Sequence, residues 1–426
     1  FQKLEISQKQ SEKFGLKVKN KMPEFFLELF SEEIPAKLQI NARNNLYENL
    51  KKFFEEEEVL IKIKLNVFST PNRLVVYIDK VTKQISRKSE EIRGPNIKSP
   101  DQAFDGFLRS NNIKKTQVYV KKTEKGDFYF YRKPSQKINT ANLLRENLPN
   151  ILSKIIWNKS MKWGDHSLFW GRPLKSILSI FDGKKLDFNF NHLKSSNTTF
   201  IDKDLEEKTK IFSSFKSYNS FFKSLGILID QEKRKSFISN EIIKLSKSKK
   251  IKINLKNDLL DEITNIVEKP KILFCEFDKK YLTIPKEILI ISMQNHQKYF
   301  PTFDNKDNLT NNFIVIADKK DSKGLIRLGN ERVIEARLND AEFFWNKNRS
   351  QNLVKQVSKL KSMNYFRGLG TYFDKVQRMR KLGGMLSDNL LISKEMVELS
   401  ASVCKVDLIS DLVGEFPELQ GIMGGY

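Results

Sequence analysis

The sequence predicts an α+β multidomain fold, with mixed α/β N-terminal and middle modules followed by an all-helical C-terminal part. Three observations predict it. At 426 residues the chain is too long for one ordinary core, and the length prior points to roughly two to four domains. Up to about Leu325, hydrophobic periods of two and of 3.6 alternate along the chain. Beyond it only the helical period persists.

The N-terminal module is read element by element. Phe25 to Phe30 is an apolar run bounded by Pro23 and Ser31, which predicts a buried strand. Ser31, two acids and Pro35 form a helix entry, after which Leu38, Ala42, Leu46, Leu50 and Phe53 recur at helical spacing. Ile61, Ile63, Leu65 and Val67 alternate with Lys62, Lys64 and Asn66, as in a strand with one wet face. Thr70, Pro71 and Asn72 turn the chain into Leu74 to Ile78. After a Gly/Pro-rich segment at Arg93 to Pro100, Lys125-Gly126 separates Val118–Lys122 from Phe128–Arg132 as a hairpin. Leu144, Leu148, Ile151, Leu152, Ile155 and Ile156 mark a helix ending near Trp157. This gives a first domain over 22–158, preceded by an extension, 1–21, upstream of the first starting Met, Met22.

From Met161 the texture changes to short strands and loops: Trp163-Gly164, Gly171 to Pro173, then Ile177 to Phe181 closed by Asp182-Gly183. Helices are expected around Phe221–Leu225, Arg234–Leu245 and Leu259–Val267, and strands at Ile272–Cys275 and Phe313–Ile316. A middle α+β domain over 159–325 follows. In 326–426, Val333, Arg337, Leu338, Ala341 and Phe344 define one helical face. Val376, Met379, Leu382, Leu386 and Met396, Leu399, Val403 define others. Pro417 is expected to interrupt a helix running from about Ser393. Tyr426 cuts into a motif, so a fragment is expected.

Lys and Arg total 76 against 52 Asp and Glu, a formal net charge of +24. Such an excess suits a polyanion, because each cation that neutralises a phosphate releases a counterion. RNA, DNA and an anionic membrane surface all qualify, and Lys-rich composition also serves solubility. Cys275 and Cys404 form no CxxC pair, so neither a disulfide framework nor a zinc knuckle is indicated. No apolar run approaches the roughly 18 residues of a membrane span, and the N-terminus lacks a signal-peptide core. No membrane association and a cytoplasmic location are the expectation.

Self-contained catalysis finds no support in the residue patterns. His166, His192 and His296 are the three histidines, and the sequence holds no GxxxxGK[ST], HExxH or GxSxG pattern. No catalytic or metal-ligating residue is assigned. His296, Gln297 and Lys298, beside Gln294, Tyr299 and Phe300, could stack on a base and hold a phosphate. Equally, the aromatics could anchor a core and His296 cap a backbone group, which is the commoner role of a single histidine. Asn330, Arg332 and Arg337 share a helix with Glu331, Glu335 and Asp340. Salt-bridged neighbours are the default there, and Arg forks also suit phosphate. Trp163-Gly164-Asp165 with Trp170-Gly171-Arg172-Pro173 could line a small pocket or, as favoured here, seal a core.

Blocks in register carry a resemblance. They read FFLELFSEEIPAK (25–37), FSTPNRL (68–74), MKWGDHSLFWGRP (161–173), MQNHQKYFPTFD (293–304), GNERVIEARLNDAEFF (329–344), LGTYFDK (369–375) and LVGEFPELQGIMGGY (412–426). Together they resemble the beta subunit of bacterial glycyl-tRNA synthetase from about Met22 onwards. The resemblance implies a subunit that binds tRNA(Gly) and a catalytic alpha subunit in an alpha2-beta2 tetramer. ATP and Mg would be used through the class II site of alpha, leaving this chain alone inactive. It also implies a middle domain similar to a phenylalanyl-tRNA synthetase beta module and an HD-like helical domain. With no His after His296, Asp407 alone cannot supply HD metal chemistry. Where the family continues Thr-Gly-His-Arg-Phe, this chain has Thr199-Phe200-Ile201-Asp202-Lys203, so a role carried by that His-Arg pair is not transferred. His296, Gln297, Lys298, Asn330, Arg332 and Arg337 are the candidates for contact with tRNA or the partner subunit. A stand-alone RNA-binding or HD-derived protein is the alternative.

Overall fold

A computed structural model of the chain describes residues 22–426 apart from 60, 62–63, 88 and 202–207. The expected extension 1–21 and part of the expected strand at 61–67 therefore lie outside the described residues. The chain divides into two compact units, the first running to Leu225 and the second covering Gly226–Tyr426. Residues from both sides of 158/159 share one sheet, and residues from both sides of 325/326 share one core.

The first unit begins with β1 (Phe25–Ser31), α1 (Ala36–Glu56), β2 (Asn66–Thr70) and β3 (Arg73–Ile78), the strand-helix-strand-strand order read from the sequence. β4 (Gln84–Arg87), β5 (Glu90–Asn96), α2 (Asp101–Asn111), β6 (Val118–Thr123), β7 (Gly126–Lys133), β8 (Gln136–Asn139) and α3 (Thr140–Ser153) follow. The last helix stops before the expected Trp157. β9 (Leu174–Phe181) and β10 (Lys184–Lys185) then complete an antiparallel sheet of order β10-β9-β1-β3-β2. Asp182 and Gly183 both have positive φ, 53° and 73°, and close the β9–β10 hairpin as expected.

β1 lies between β9 and β3 and is buried along its whole length, which is why its sequence is a run rather than an alternation. Phe25, Leu27 and Leu29 enter the main core with Leu38, Leu46 and Leu50 of α1 and Leu144 and Leu148 of α3. The opposite face carries Phe26, Glu28 and Phe30. β11 (Asn189–Phe190) and β12 (Leu193–Lys194) form a small hairpin on the main-core side, whereas the Phe26 face is covered by β13 (Thr198–Phe200), which pairs with β14 (Thr209–Ile211), and by α4 (Phe215–Ser224), with Phe26 packed on Phe215 and Tyr218 and Phe30 on Phe200.

The second unit contains α5 (Gln231–Lys249), β15 (Lys252–Ile253), α6 (Asn257–Thr264), β16 (Lys271–Glu276), α7 (Lys286–Ile291), a π-helical turn at Ser292–His296, β17 (Phe300–Phe303), β18 (Leu309–Ala317) and α8 (Leu325–Arg349). Its antiparallel sheet has the order β15-β17-β18-β16. Successive residues of β18 point to opposite faces. Ile314 joins Ile238, Ile242, Leu260 and Ile263 of α5 and α6, whereas Phe313 and Val315 join Ile334 and Leu338 of α8 on the other side.

Two expectations for 326–426 are corrected. The segment is not all-helical: β19 (Asn364–Phe366) and β20 (Gly370–Thr371) form a small hairpin between α8 and α9 (Tyr372–Leu390). Gly368 and Gly370, at φ 82° and 78°, supply backbone conformations that other residues rarely adopt. Nor does one helix run from Ser393 to Pro417. α10 (Lys394–Val403) ends earlier, and α11 (Asp411–Glu415) starts anew with Ser410 as its N-cap, its hydroxyl accepting from Val413 N at 3.1 Å. Between them Asp407 turns inward and accepts from Gly421 N, anchoring the turn that leads into α12 (Ile422–Gly425).

Candidate functional site

Three motifs that are far apart in sequence meet in the second unit. Met293 and Tyr299, then Ile334, Leu338 and Ala341, then Leu412, Phe416 and Leu419 share one buried cluster with Phe313 and Val315 of β18. The chain reaches this geometry through the wide π turn after α7. Lys298 takes a positive φ of 59°, and Tyr299 N donates back to the Met293 carbonyl at 2.8 Å. That turn swings the Tyr299 ring inward, where it stacks on Phe313 at 5.0 Å.

The Tyr299 hydroxyl donates to Asn330 Oδ1 at 2.6 Å, and Asn330 Nδ2 donates to the Ile326 carbonyl at 2.7 Å. Asn330 is thereby fixed on the first turns of α8 and serves as an acceptor inside the fold. Burial pushes both the Tyr299 phenol and the neighbouring Cys275 thiol up to about 12, so each is neutral at physiological pH. The start of α8 is set by Asp321, whose carboxylate accepts from Arg327 N at 2.8 Å and Ile326 N at 3.1 Å. These backbone donors hold Asp321 below the usual carboxylate range.

The other candidates lie around this knot. His296 packs against Phe416 with ring centroids 5.2 Å apart, and the adjacent Asn295 donates to Glu418 at 3.3 Å. Lys298 pairs with Glu262 at 3.1 Å, and Arg337 donates to Glu415 at 3.3 Å. Gln297 is half-buried, and Arg332 is exposed on α8. The loop and helix are thus joined through Tyr299 and Asn330, while His296 and Arg337 engage the 412–419 segment. Sequence reasoning placed Arg332 and Arg337 among acids of their own helix. The structure instead gives Arg337 an acid from the C-terminal motif, and Arg327 pairs with Glu331.

A second polar centre was missed. Glu28 and Arg73 form a fully buried ion pair at 2.6 Å between β1 and β3. Tyr218 donates to the same Glu28 oxygen at 2.5 Å. Arg73 donates to Thr199 Oγ1 at 3.3 Å and to the Phe200 carbonyl at 2.8 Å, its guanidinium lying 4.6 Å and 4.4 Å from the Phe30 and Phe222 ring centres. The signal available was an acid inside an apolar strand, in FFLELF. Thr199 and Phe200, at the start of the 199–203 segment, are used in this network, and Asp202 and Lys203 lie outside the described residues.

Of the tryptophans, Trp170 is buried against Trp157 at 5.0 Å, the core role favoured from the sequence. A side chain at Gly171 would collide with Trp157, since its Cβ would sit 2.4 Å from the ring. Trp163 also packs against the main core, half-buried, and its ring meets His166 and His192, which stack on one another at 3.5 Å. Among the described residues, no group of three or more His, Cys, Asp or Glu side chains is arranged to hold a metal ion.

Comparison with known proteins decides the resemblance that these motifs carry. A profile of the glycyl-tRNA synthetase beta subunit matches residues 25–426. The chain belongs to that family. Similar relatives include the glycine–tRNA ligase beta subunits of Rickettsia conorii, 34% identical over 406 residues, and Rickettsia felis, 35% identical over 408 residues. Each alignment covers 95% of this chain and 60% of the relative. The chain therefore spans about three-fifths of the length of these beta subunits. In this member of the glycyl-tRNA synthetase beta subunit family, the motifs at 293–304, 329–344 and 412–426 form one packed region rather than three separate sites.

Proposed function

We propose that this chain is the part of a glycine–tRNA ligase beta subunit that binds tRNA(Gly) and the catalytic alpha subunit, within an alpha2-beta2 assembly. The observation that carries the reading is the family match across 25–426. Activation of glycine with ATP and Mg belongs, in this reading, to the class II site of alpha, and glycyl transfer to tRNA follows on the assembled enzyme. The net charge of +24 suits a phosphate-rich partner. Most polar groups around the motif knot hold one another, which suits a scaffold. Arg332 and Gln297 stand at its rim as contacts for tRNA or alpha.

The region before Leu325 is read as similar to a phenylalanyl-tRNA synthetase beta module, and the following helices as HD-like without HD metal chemistry. Asp407, the acid such chemistry would need, is buried and accepts from Gly421 N. Among the described residues no helix is long and apolar enough to cross a membrane, and a cytoplasmic site of action accords with translation.

Glycine-dependent pyrophosphate exchange and tRNA binding test the reading together. The chain alone should give no exchange and should bind tRNA with an affinity that falls steeply as salt rises. Exchange by the isolated chain, or no binding to tRNA at low salt, would count against it.

A further inference from the structure

β4 and β8 pair as a two-stranded ribbon, and the chain between them folds into a small module of β5, α2, β6 and β7 with sheet order β5-β7-β6. This module carries ten Lys or Arg against six Asp or Glu between residues 90 and 133. Its largest buried rings, Phe104 and Phe130, stand outside the main core cluster of the unit. Register separates the two faces of the sheet. Tyr129 and Tyr131 of β7 share a face with Val118, Val120 and Ile92, and α2 packs on its β5–β7 part, with Phe104 on Tyr129 at 4.2 Å and Phe107 close against Gly94, while Val120 of β6 stays exposed.

The opposite face interleaves aromatics and cations. Tyr119 pairs with Phe130 and Lys121 with Phe128, while Arg93 and Glu91 lie opposite Phe130 and Arg132. The Arg93 guanidinium sits 3.6 Å from the Phe128 ring centre, and Lys121 sits 5.4 Å from that of Phe130. Tyr119 is 36% exposed, an available ring on the edge strand β6, beside the buried Phe130 of the central strand. Glu91 is the one acid in the cluster just described. Its carboxylate binds Tyr119 OH at 2.7 Å, Lys121 at 2.5 Å and Arg132 at 3.0 Å, so it orients the cations around the ring while offsetting part of their charge. At the hairpin tip, Arg93, Lys122, Thr123, Glu124 and Lys125 line an open hollow of about 540 Å³.

We propose that the exposed β6 edge and hairpin tip of this face form an RNA-contacting surface for an unpaired segment. A base stacks on Tyr119 at the β6 edge, and Arg93, Lys122 and Lys125 at the hairpin tip take the flanking phosphates. The physical basis is that aromatic rings on a sheet and Arg planes accept any unstacked base, while a cationic rim follows the backbone. The proposal rests on the tRNA reading and names a surface for it that is separate from the six candidates in the second unit.

The test uses the whole chain, with a short labelled single-stranded RNA and with tRNA, measured by fluorescence anisotropy across a salt series. Tyr119→Ala should weaken binding of the single strand at least about fivefold with an unchanged salt slope, as loss of one stacked base predicts. Tyr119→Phe should retain affinity, because it keeps the ring and loses only the bond to Glu91. Lys122→Glu with Lys125→Glu should lower the salt slope by about 0.7 per lost phosphate contact. The same double charge change at Lys244 and Lys247 of α5 should leave affinity for the single strand higher than the hairpin variant does. If Tyr119→Ala binds single strand and tRNA as the unaltered chain does, the surface is overturned and the tRNA reading stands. If Tyr119→Phe loses as much as Tyr119→Ala, stacking is overturned. If the unaltered chain binds no tRNA, both fall. Tyr119-dependent binding to anionic phospholipid vesicles without binding to RNA would assign the face to membranes and overturn the proposal.

Discussion

Tyr299 donates its hydroxyl to Asn330 at 2.6 Å, tying the end of a π turn to a long helix across 31 residues of sequence. Removing the donor leaves Asn330 Oδ1 without its internal partner. Tyr299→Phe should therefore cost about 1–3 kcal/mol in urea unfolding. Asn330→Ala should cost a similar amount, and the double variant less than the sum, since the two share one bond. Additive single and double variants would show that the bond does not couple loop and helix.

The Glu28–Arg73 pair sets a larger effect. Both side chains are at most 1% exposed, so Arg73→Met leaves a carboxylate uncompensated in the core. Such a loss costs about 3–5 kcal/mol. Combining it with Glu28→Leu should recover part of that stability, because neither charge is then buried. A double variant less stable than Arg73→Met would mean that packing of the guanidinium between Phe30 and Phe222, and not charge, dominates.

Cysteine reactivity separates the two thiols. Cys275 is buried and its thiol is pushed up to about 12, whereas Cys404 is exposed. A thiol reagent at neutral pH should label one site in the folded chain and the second only on unfolding. Prompt labelling at Cys275 would show that β16 opens far more readily than its place in the core implies.

Acid should loosen the hairpin module before neutral conditions do. Hydrogen bonds from Lys121, then Tyr119 and Arg132, bring the Glu91 carboxyl down to about 2 from its ordinary 4.5. A depressed folded value means that the contribution is present above about 4.5 and is lost as pH falls towards about 2. The melting-temperature gap between the unaltered chain and Glu91→Gln should shrink over that window. A gap that stays constant through it would sever the link to Glu91 ionisation.

Much of this was legible in the sequence where local pattern and fold agree. Phe25–Phe30 reads as a buried strand because it lies at the centre of its sheet with both faces covered, and the Lys125-Gly126 turn appears where β6 meets β7. Long-range partners were not legible. Glu28 meets Arg73 only through strand pairing across 45 residues, and His296 meets Phe416 only when the C-terminal motif folds back. The β19–β20 hairpin escaped detection because its strands are two and three residues long, too short to show a period. The candidate site was legible as three motifs and not as one cluster, since helical spacing reports which face is buried and not what buries it.

Reconstitution of glycylation reaches furthest into the proposed function. The alpha subunit encoded by the same genome would be assayed for glycyl-tRNA(Gly) formation with and without the beta polypeptide extended to the full length of its relatives. The expected result is co-purification of the two and beta-dependent glycylation, weakened when the beta polypeptide carries Arg332→Glu. Glycylation by alpha that is indifferent to beta, with no association between the two, would contradict the assignment of this chain as the tRNA-binding and assembly subunit.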